Sequence, residues 1–179
     1  RNRLIELIRY GAQTKTVHPE PLLIVPPWIN KYYILDLSPH NSLVRYLVGE
    51  GHTVYMLSWL NPDAEDHELT MDDYLQLGIF DALARIGELG GSKPAPVHLA
   101  GYCLGGTMVA IAAAALGGQG VVANAKRLPR LQTITLLAAQ TDFSEPGELG
   151  LFIDESQVAY LREIMREKGY LTGGQMAGS

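Results

Sequence analysis

A single cysteine set between two glycines constrains this chain more than any other feature of its sequence. Residues 96–111 begin with a short apolar run, continue through Gly101-Tyr102-Cys103-Leu104-Gly105, and then show small and apolar residues at helical spacing. This order predicts a strand, a sharp turn and a helix. The glycine pattern matches the G-x-S-x-G nucleophile elbow, with sulfur in place of the serine oxygen. We therefore predict that Cys103 is a nucleophile displayed above the end of a sheet.

Sterics explain the glycines of this pattern. An elbow bends the backbone so sharply that side chains two residues before or after the nucleophile would collide with neighbouring backbone. A helix that begins directly after the turn directs its N-terminal amides at the sulfur. Those amides favour negative charge on the sulfur or on a developing oxyanion.

Three other roles compete for the same residues. Cys103 could be a small buried hydrophobic residue, as cysteines often are. The glycine-rich turn could bind a phosphate, although neither G-x-G-x-x-G nor G-x-x-x-x-G-K-[S/T] occurs there. A metal site is the weakest alternative, because Cys103 is the only cysteine and no predicted helix carries paired histidines at ligand spacing. We expect no metal.

The composition limits the classes of protein to which the chain can belong. With 179 residues, 47% of them hydrophobic, it is long enough for one globular domain with a sizeable core. A formal net charge of −5 offers no basic surface for nucleic acid, and no apolar run is long enough to span a membrane. One cysteine allows no internal disulfide and no signal peptide opens the chain, so we expect a cytoplasmic protein. Because the first residue is Arg1 rather than Met, we expect a piece of a longer protein.

Predicted strands alternate with predicted helices along most of the chain. Apolar runs predict strands at 21–25, 53–57, 96–101 and 131–137, and helical spacing predicts helices at 42–50, 70–89, 104–116 and 154–168. Apolar residues among the first ten predict the end of another helix. Such alternation implies a mainly parallel sheet. We expect an α/β-hydrolase core of four strands over about residues 20–142, followed by the start of a cap over about 143–179.

The loop after the first predicted strand is the candidate for half of an oxyanion hole. Pro26-Pro27 ends that strand, because proline cannot donate to a strand ladder. In the α/β-hydrolase arrangement this loop supplies one backbone amide, which we assign to residues 28–30 and specifically to Ile29. The residue after the nucleophile, Leu104, supplies the other amide. A rigid proline-rich turn with an aromatic plug is the alternative for the same loop.

With these motifs in view, the chain resembles the polyhydroxyalkanoate synthases, and most closely the class I enzymes that act on short-chain substrates. The resemblance lies in PLLIVPPWINKYYILDL at 21–37, GHTV at 51–54, SW and NP within 58–62, GYCLGG at 101–106, DF at 142–143 and FIDE at 152–155. It covers nearly all 179 residues but only the first part of a synthase catalytic domain. The segments that carry the catalytic Asp and His of that family have no counterpart here.

The resemblance implies polymerisation of (R)-3-hydroxyacyl-CoA, with release of CoA, through a covalent thioester on Cys103. The partners would be the hydroxyacyl-CoA substrate and the growing polyester chain, and no metal or organic cofactor would be needed. A homodimer of the intact protein and association with cytoplasmic polyester granules are expected with it. The candidates for the substrate pocket are Trp28, Asn30 and Tyr102.

Two rival functions fit the same elbow. Another cysteine hydrolase of this fold, such as a thioesterase or a dienelactone-type hydrolase, would release free acid instead of polymer. A non-catalytic relative that only binds granules or partners would need no general base.

The general base and its acid are expected beyond residue 179. In this fold the chain order is nucleophile, acid, histidine, yet all five histidines precede Cys103, at 18, 40, 52, 67 and 98. His98 lies on the elbow strand, about 16 Å from the sulfur at about 3.3 Å per residue. His40 and His67 are the main competitors, since both follow strands on the active-site side. Asp142 follows the last predicted strand, where we expect a turn or capping role, with the triad acid as the alternative.

Overall fold

The computed structural model describes residues 1–118, 127–145, 147–151 and 153–174. Phe152, one of the residues behind the resemblance, lies outside them. The strands are β1 (Ile5–Arg9), β2 (Leu22–Val25), β3 (Asp36–Ser38), β4 (Asn41–Ser42), β5 (Val54–Trp59), β6 (Val97–Tyr102) and β7 (Leu131–Leu137). The helices are α1 (Leu43–Gly49), α2 (Met71–Asp73), α3 (Asp81–Leu89), α4 (Leu104–Gly117) and α5 (Glu155–Lys168), and a π-helix at Tyr74–Phe80 joins α2 to α3.

A mainly parallel sheet organises these elements, as the sequence predicted. Five strands form it in the order β1-β5-β2-β6-β7, and β3 pairs with β4 in a separate hairpin. β2 runs parallel to both β5 and β6, and β6 runs parallel to β7. From β2 the chain continues to β5 on one side and then to β6 on the other. The carboxyl end of β2 is therefore a topological switch point, the position at which open α/β sheets bind their ligands.

Within the first ten residues, Ile5–Arg9 form a strand and not the predicted helix. β1 is antiparallel to β5, with Ile5 opposite Trp59 and Arg9 opposite Tyr55. The apolar residues at 4, 5, 7 and 8 fit a helix equally well, because short apolar runs are ambiguous. Pairing with a strand that lies far along the chain decides between the two. Among the described residues the sheet has five strands, where four were expected.

The core lies along the central strands. β2 and β5 bury nearly every side chain, among them Leu23, Val54 and Leu57 at 0% exposure. Val44 and Val48 of α1 pack into the same cluster as Ile24 and Met56, a cluster that also contains Val54 and Ala100. Burial of each large apolar side chain stabilises the fold by about 1.5–3 kcal/mol. The carboxyl end of the sheet, where Cys103 lies, thus includes strands whose side chains are nearly all buried.

β7 joins the sheet through its backbone rather than through buried side chains. It pairs with β6, with a register shift between Val97 and His98 and, beyond it, Leu99 opposite Ile134 and Tyr102 opposite Leu137. All of its residues from Gln132 onward are exposed, and Ile134 is 45% exposed.

The helices begin and end close to their predicted positions. Ser42 caps α1, since its hydroxyl oxygen accepts from the Arg45 amide at 2.8 Å. Asp154 caps α5 by accepting from the Gln157 amide at 2.8 Å. The helix predicted at 70–89 is present, but its middle seven residues are π-helical, which the sequence did not indicate.

The chain divides into two compact units, Arg1–Leu60 with Met71–Gln140, and Asn61–Thr70 with Thr141–Ser179. The first unit contains the sheet and Cys103. In the second, Val158, Leu161 and Ile164 of α5 are half-buried, whereas Met165 is 46% exposed. Within the described parts of both units, no helix combines the length and apolar character that a membrane span requires.

Candidate active site

Cys103 lies on a strained turn between β6 and α4. Its backbone has φ 53° and ψ −126°, a region that residues with a side chain rarely occupy. The Cys103 amide donates to the Leu137 carbonyl at 2.9 Å, and its own carbonyl accepts from the Gly106 amide at 2.8 Å. Hydrogen bonds on both sides therefore maintain the strain. The half-buried side chain stands at the N-terminus of a 14-residue helix, as the motif predicted.

The three glycines around Cys103 occupy positions where a Cβ has no room. A Cβ on Gly101 would lie 2.6 Å from the Gly105 oxygen and from the Gly106 nitrogen. A Cβ on Gly105 would strike the Val25 carbonyl, and one on Gly106 would strike the side chain of Ala139. Most of these obstacles are backbone atoms, which cannot rotate away. The steric reason proposed for the elbow glycines is therefore present in the fold.

The loop of residues 26–30 lies directly against the start of α4. A Cβ on Gly105 would come within 2.7 and 2.8 Å of the Pro26 carbonyl carbon and oxygen. The Asn30 amide donates to the Pro27 carbonyl at 3.2 Å and is thereby engaged in the turn. Leu104 is the first residue of α4, where an amide has no acceptor within its own helix. The amides of Ile29 and Leu104 stay the predicted oxyanion pair.

An aromatic cluster stands at the carboxyl ends of β2 and β5. The rings of Trp28 and Tyr74 are 5.7 Å apart, and those of Tyr74 and Trp59 are 5.3 Å apart. Of the predicted pocket residues, Trp28 and Tyr102 are half-buried and Asn30 is exposed. Trp28 thus packs in an aromatic cluster, and a contact of Trp28, Asn30 or Tyr102 with substrate stays a prediction.

Three of the five histidines lie at the amino end of the parallel strands, away from Cys103. His98 is near the start of β6 and has its Nδ1 2.8 Å from the Thr133 hydroxyl. His18 and His52 stack with ring centroids 4.7 Å apart, and the buried Nδ1 of His52 has no partner among the described residues. Burial, followed by the neighbouring His18 and His98, lowers the pKa of His52. None of these three is placed to take a proton from Cys103.

The other two histidines are His40 and His67, the main competitors for the role of base. His40 is exposed in the turn between β3 and β4. In the second unit, His67 has its Nδ1 2.9 Å from the Ala64 carbonyl and its Nε2 3.1 Å from Glu68. That neither is the base stays a prediction.

Asp142, also in the second unit, has the geometry of a turn residue. Its Oδ1 accepts from the Ser144 amide at 2.9 Å and from the Ser144 hydroxyl at 2.7 Å. These hydrogen bonds lower the pKa of the exposed carboxyl. They favour the structural role over that of triad acid.

The described residues contain no group of three or more His, Cys, Asp or Glu side chains that could bind a metal ion. Sequence reasoning missed two features beside the site, the contact of Trp59 with the loop of residues 26–30 and the positive φ of 47° at Ala138. The first joins residues far apart in sequence, and no motif marks the second.

Known proteins share sequence with this chain over most or all of its length. A family model for the N-terminus of poly-beta-hydroxybutyrate polymerase matches residues 1–47. Over the whole chain the sequence is 44% identical to a poly(3-hydroxyalkanoate) polymerase from Methylorubrum extorquens, of which it spans 28%. It is 42% identical over 90% of its length to a poly(3-hydroxyalkanoate) polymerase subunit from Cupriavidus necator, and spans 26% of that protein. The chain therefore spans a little over a quarter of these relatives.

Solved structures of low sequence identity share the fold. A sugar hydrolase from Lactococcus lactis matches with a TM-score of 0.54 at 16% identity, over 89% of this chain and 61% of its own. An esterase from Lactobacillus rhamnosis matches with a TM-score of 0.53 at 16% identity, over 84% of this chain and 47% of its own. Together with the sheet topology, these likenesses confirm the predicted α/β-hydrolase fold class.

Proposed function

The chain belongs to the poly(3-hydroxyalkanoate) polymerase family, and on that premise we propose that the whole protein is an acyltransferase that polymerises (R)-3-hydroxyacyl-CoA into polyester. One observation carries the proposal beyond membership of the family. The only cysteine, Cys103, stands in a strained elbow conformation at the N-terminus of α4 and at the switch point of the sheet. This is the place and the geometry of an acyl-bearing nucleophile.

The first step transfers an acyl group from CoA to Cys103. The sulfur of Cys103, as thiolate, attacks the carbonyl carbon of the hydroxyacyl thioester, and the charge of the tetrahedral intermediate falls on its oxygen. The amides of Leu104 and Ile29 donate to that oxygen. When the intermediate collapses, the bond from carbon to the CoA sulfur breaks and CoA leaves as thiolate. The acyl group remains activated on Cys103.

The second step lengthens the polyester. The 3-hydroxyl of another acyl unit loses its proton to a general base and attacks the carbonyl carbon of the Cys103 thioester. A new ester bond forms, and the thiolate of Cys103 is released for the next cycle. We propose that the base is a histidine that follows Cys103 in the whole protein and is oriented by an acid, in keeping with the chain order of this fold.

Three finer features complete the proposal. The substrates are short-chain, such as 3-hydroxybutyryl-CoA, the intact protein is a homodimer, and it works in the cytoplasm at the surface of polyester granules. Each of these is supported by the resemblance to the class I enzymes.

The test uses the full-length protein and the replacements Cys103→Ala and Cys103→Ser. We expect both variants to fold, by circular dichroism, and to lose CoA release and polymer formation by about 10³-fold or more. In the unaltered protein, mass spectrometry should find the acyl group on the peptide that contains Cys103. His40→Ala and His67→Ala are matched controls and should retain activity.

Each contrary result points to a different error. Substantial turnover by Cys103→Ala would show that the nucleophile is elsewhere. Release of free hydroxy acid without polymer would indicate a thioesterase. Loss of turnover in a folded His40→Ala or His67→Ala variant would place the base within this chain.

A further inference from the structure

We propose that Trp59 is a positioning residue for the reaction on Cys103, because its indole fixes the loop that carries the Ile29 amide. The proposal rests on the function proposed above and adds to it a residue that belongs to neither the elbow nor the loop. Trp59 is the last residue of β5, so it reaches the site from a strand that supplies none of the predicted catalytic groups.

A short buried hydrogen bond links Trp59 to the loop. The indole N–H donates to the Pro26 carbonyl at 2.7 Å, the short end of the range for such bonds. Trp59 is 9% exposed and Pro26 is buried. Water therefore cannot readily replace the indole, and loss of the bond would leave the Pro26 carbonyl unsatisfied.

The Pro26 carbonyl is confined from its other side by the elbow helix. Gly105 faces it so closely that a Cβ would lie 2.8 Å from the Pro26 oxygen. The carbonyl is thus fixed between the indole and the start of α4, three residues before Ile29 and one residue after Val25 at the end of β2. Its position sets the separation between the Ile29 amide on the loop and the Leu104 amide on the helix.

The indole is itself positioned by the π-helix. A Cβ on Gly78 would lie 2.6 Å from the Cη2 and Cζ3 atoms of Trp59, so Gly78 presents bare backbone to the ring. Tyr74 packs on the same ring at an interplanar angle of 39° and also contacts Trp28. Both contacts come from the π-helical segment, a form that recurs at functional sites. The π-helix therefore forms the surface against which the indole packs.

This arrangement predicts an effect on turnover rather than on substrate binding. An oxyanion hole acts on charge that develops only in the transition state, so a misaligned amide lowers kcat and leaves KM nearly unchanged. A residue that merely stabilised the fold would lower the amount of active protein and leave the turnover of the folded fraction unchanged.

The experiment compares Trp59→Phe with Tyr10→Phe in the full-length protein. Trp59→Phe keeps an aromatic ring but removes the N–H donor. Tyr10→Phe also removes one hydrogen-bond donor, here from a part-buried bond to Asp36 at 3.2 Å that lies outside the site. Turnover is measured as CoA release per acylatable Cys103, so that unfolded protein is not counted. We expect kcat to fall about tenfold in Trp59→Phe with KM within twofold, and Tyr10→Phe to match the parent.

A second variant keeps the proposal testable if Trp59→Phe does not fold. Gly78→Ala retains the indole N–H but displaces the ring, and it should also lower kcat. Because Phe lacks the outer edge of the indole, Gly78→Ala should cost little more in the Trp59→Phe background, so the two effects should not add. If Trp59→Phe folds and has the kcat of the parent, the positioning role is refuted. If Trp59→Phe does not fold, a parental kcat in Gly78→Ala refutes it instead. If Cys103→Ala loses activity in the same experiments, the proposed function stands even where the positioning role is refuted.

Discussion

Gly105→Ala should destabilise the protein, although alanine favours helix over glycine. The new Cβ would lie 2.7 Å from the Pro26 carbonyl carbon, whereas ordinary contacts begin at 3.4 Å. The Val25 carbonyl would be closer still, so β2 and α4 would have to separate by more than about 0.7 Å, and overpacking of a rigid site costs about 1–3 kcal/mol. Because the obstacles are backbone atoms, we take about 3 kcal/mol for the clash, less about 1 kcal/mol of helix propensity. The net loss is about 2 kcal/mol, or a fall of about 4–8 °C in Tm.

Gly117→Ala is the matched control, because it lies in the same helix and a Cβ there would meet nothing within 4 Å. It should leave the free energy of unfolding unchanged or raise it by up to about 1 kcal/mol. Chemical unfolding followed by circular dichroism measures both variants against the parent. Equal stability of Gly105→Ala and Gly117→Ala would refute the steric account of the elbow.

Two further predictions concern titratable groups. Burial lowers the pKa of His52 below its unfolded value near 6.5, so the unfolded chain takes up the proton more readily. The contribution of neutral His52 to the free energy of unfolding is fully present above about pH 6.5 and should decline as the pH falls toward the folded pKa. Unfolding curves at successive pH values measure this decline, which should be smaller in His52→Gln. A decline that is unchanged in His52→Gln would assign it to other groups. Asp142→Asn retains an acceptor for Ser144 and should keep turnover within about threefold of the parent; a loss of several orders of magnitude in folded protein would instead make Asp142 the triad acid.

Sequence patterns identified the elements whose determinants are local. The elbow was predictable because Gly101 and Gly105 report a steric limit that is set within a few residues of Cys103. Ser42 and the run at 131–137 likewise signalled a helix start and a strand through their own chemistry.

The errors arose where distant residues decide. β1 was predicted as a helix because its apolar spacing suits either structure, and only the pairing with Tyr55 through Trp59 selects a strand. Gly78 of the π-helix lies close against Trp59, and the Trp59 indole is also hydrogen-bonded to Pro26 in the loop of residues 26–30. Such contacts leave no periodic trace in either segment.

The central place of β2 also has a consequence for how the chain is made. Leu22 pairs with Val54 on one side and with His98 on the other. During synthesis, the backbone of the apolar segment Leu22–Val25 therefore lacks its strand hydrogen bonds until both later strands have been made. Sheets that depend on such distant pairings form slowly, and until they form their apolar segments can associate with other chains. β2, which has a neighbour on each side in the finished molecule, thus remains open to aggregation until β6 has been synthesised.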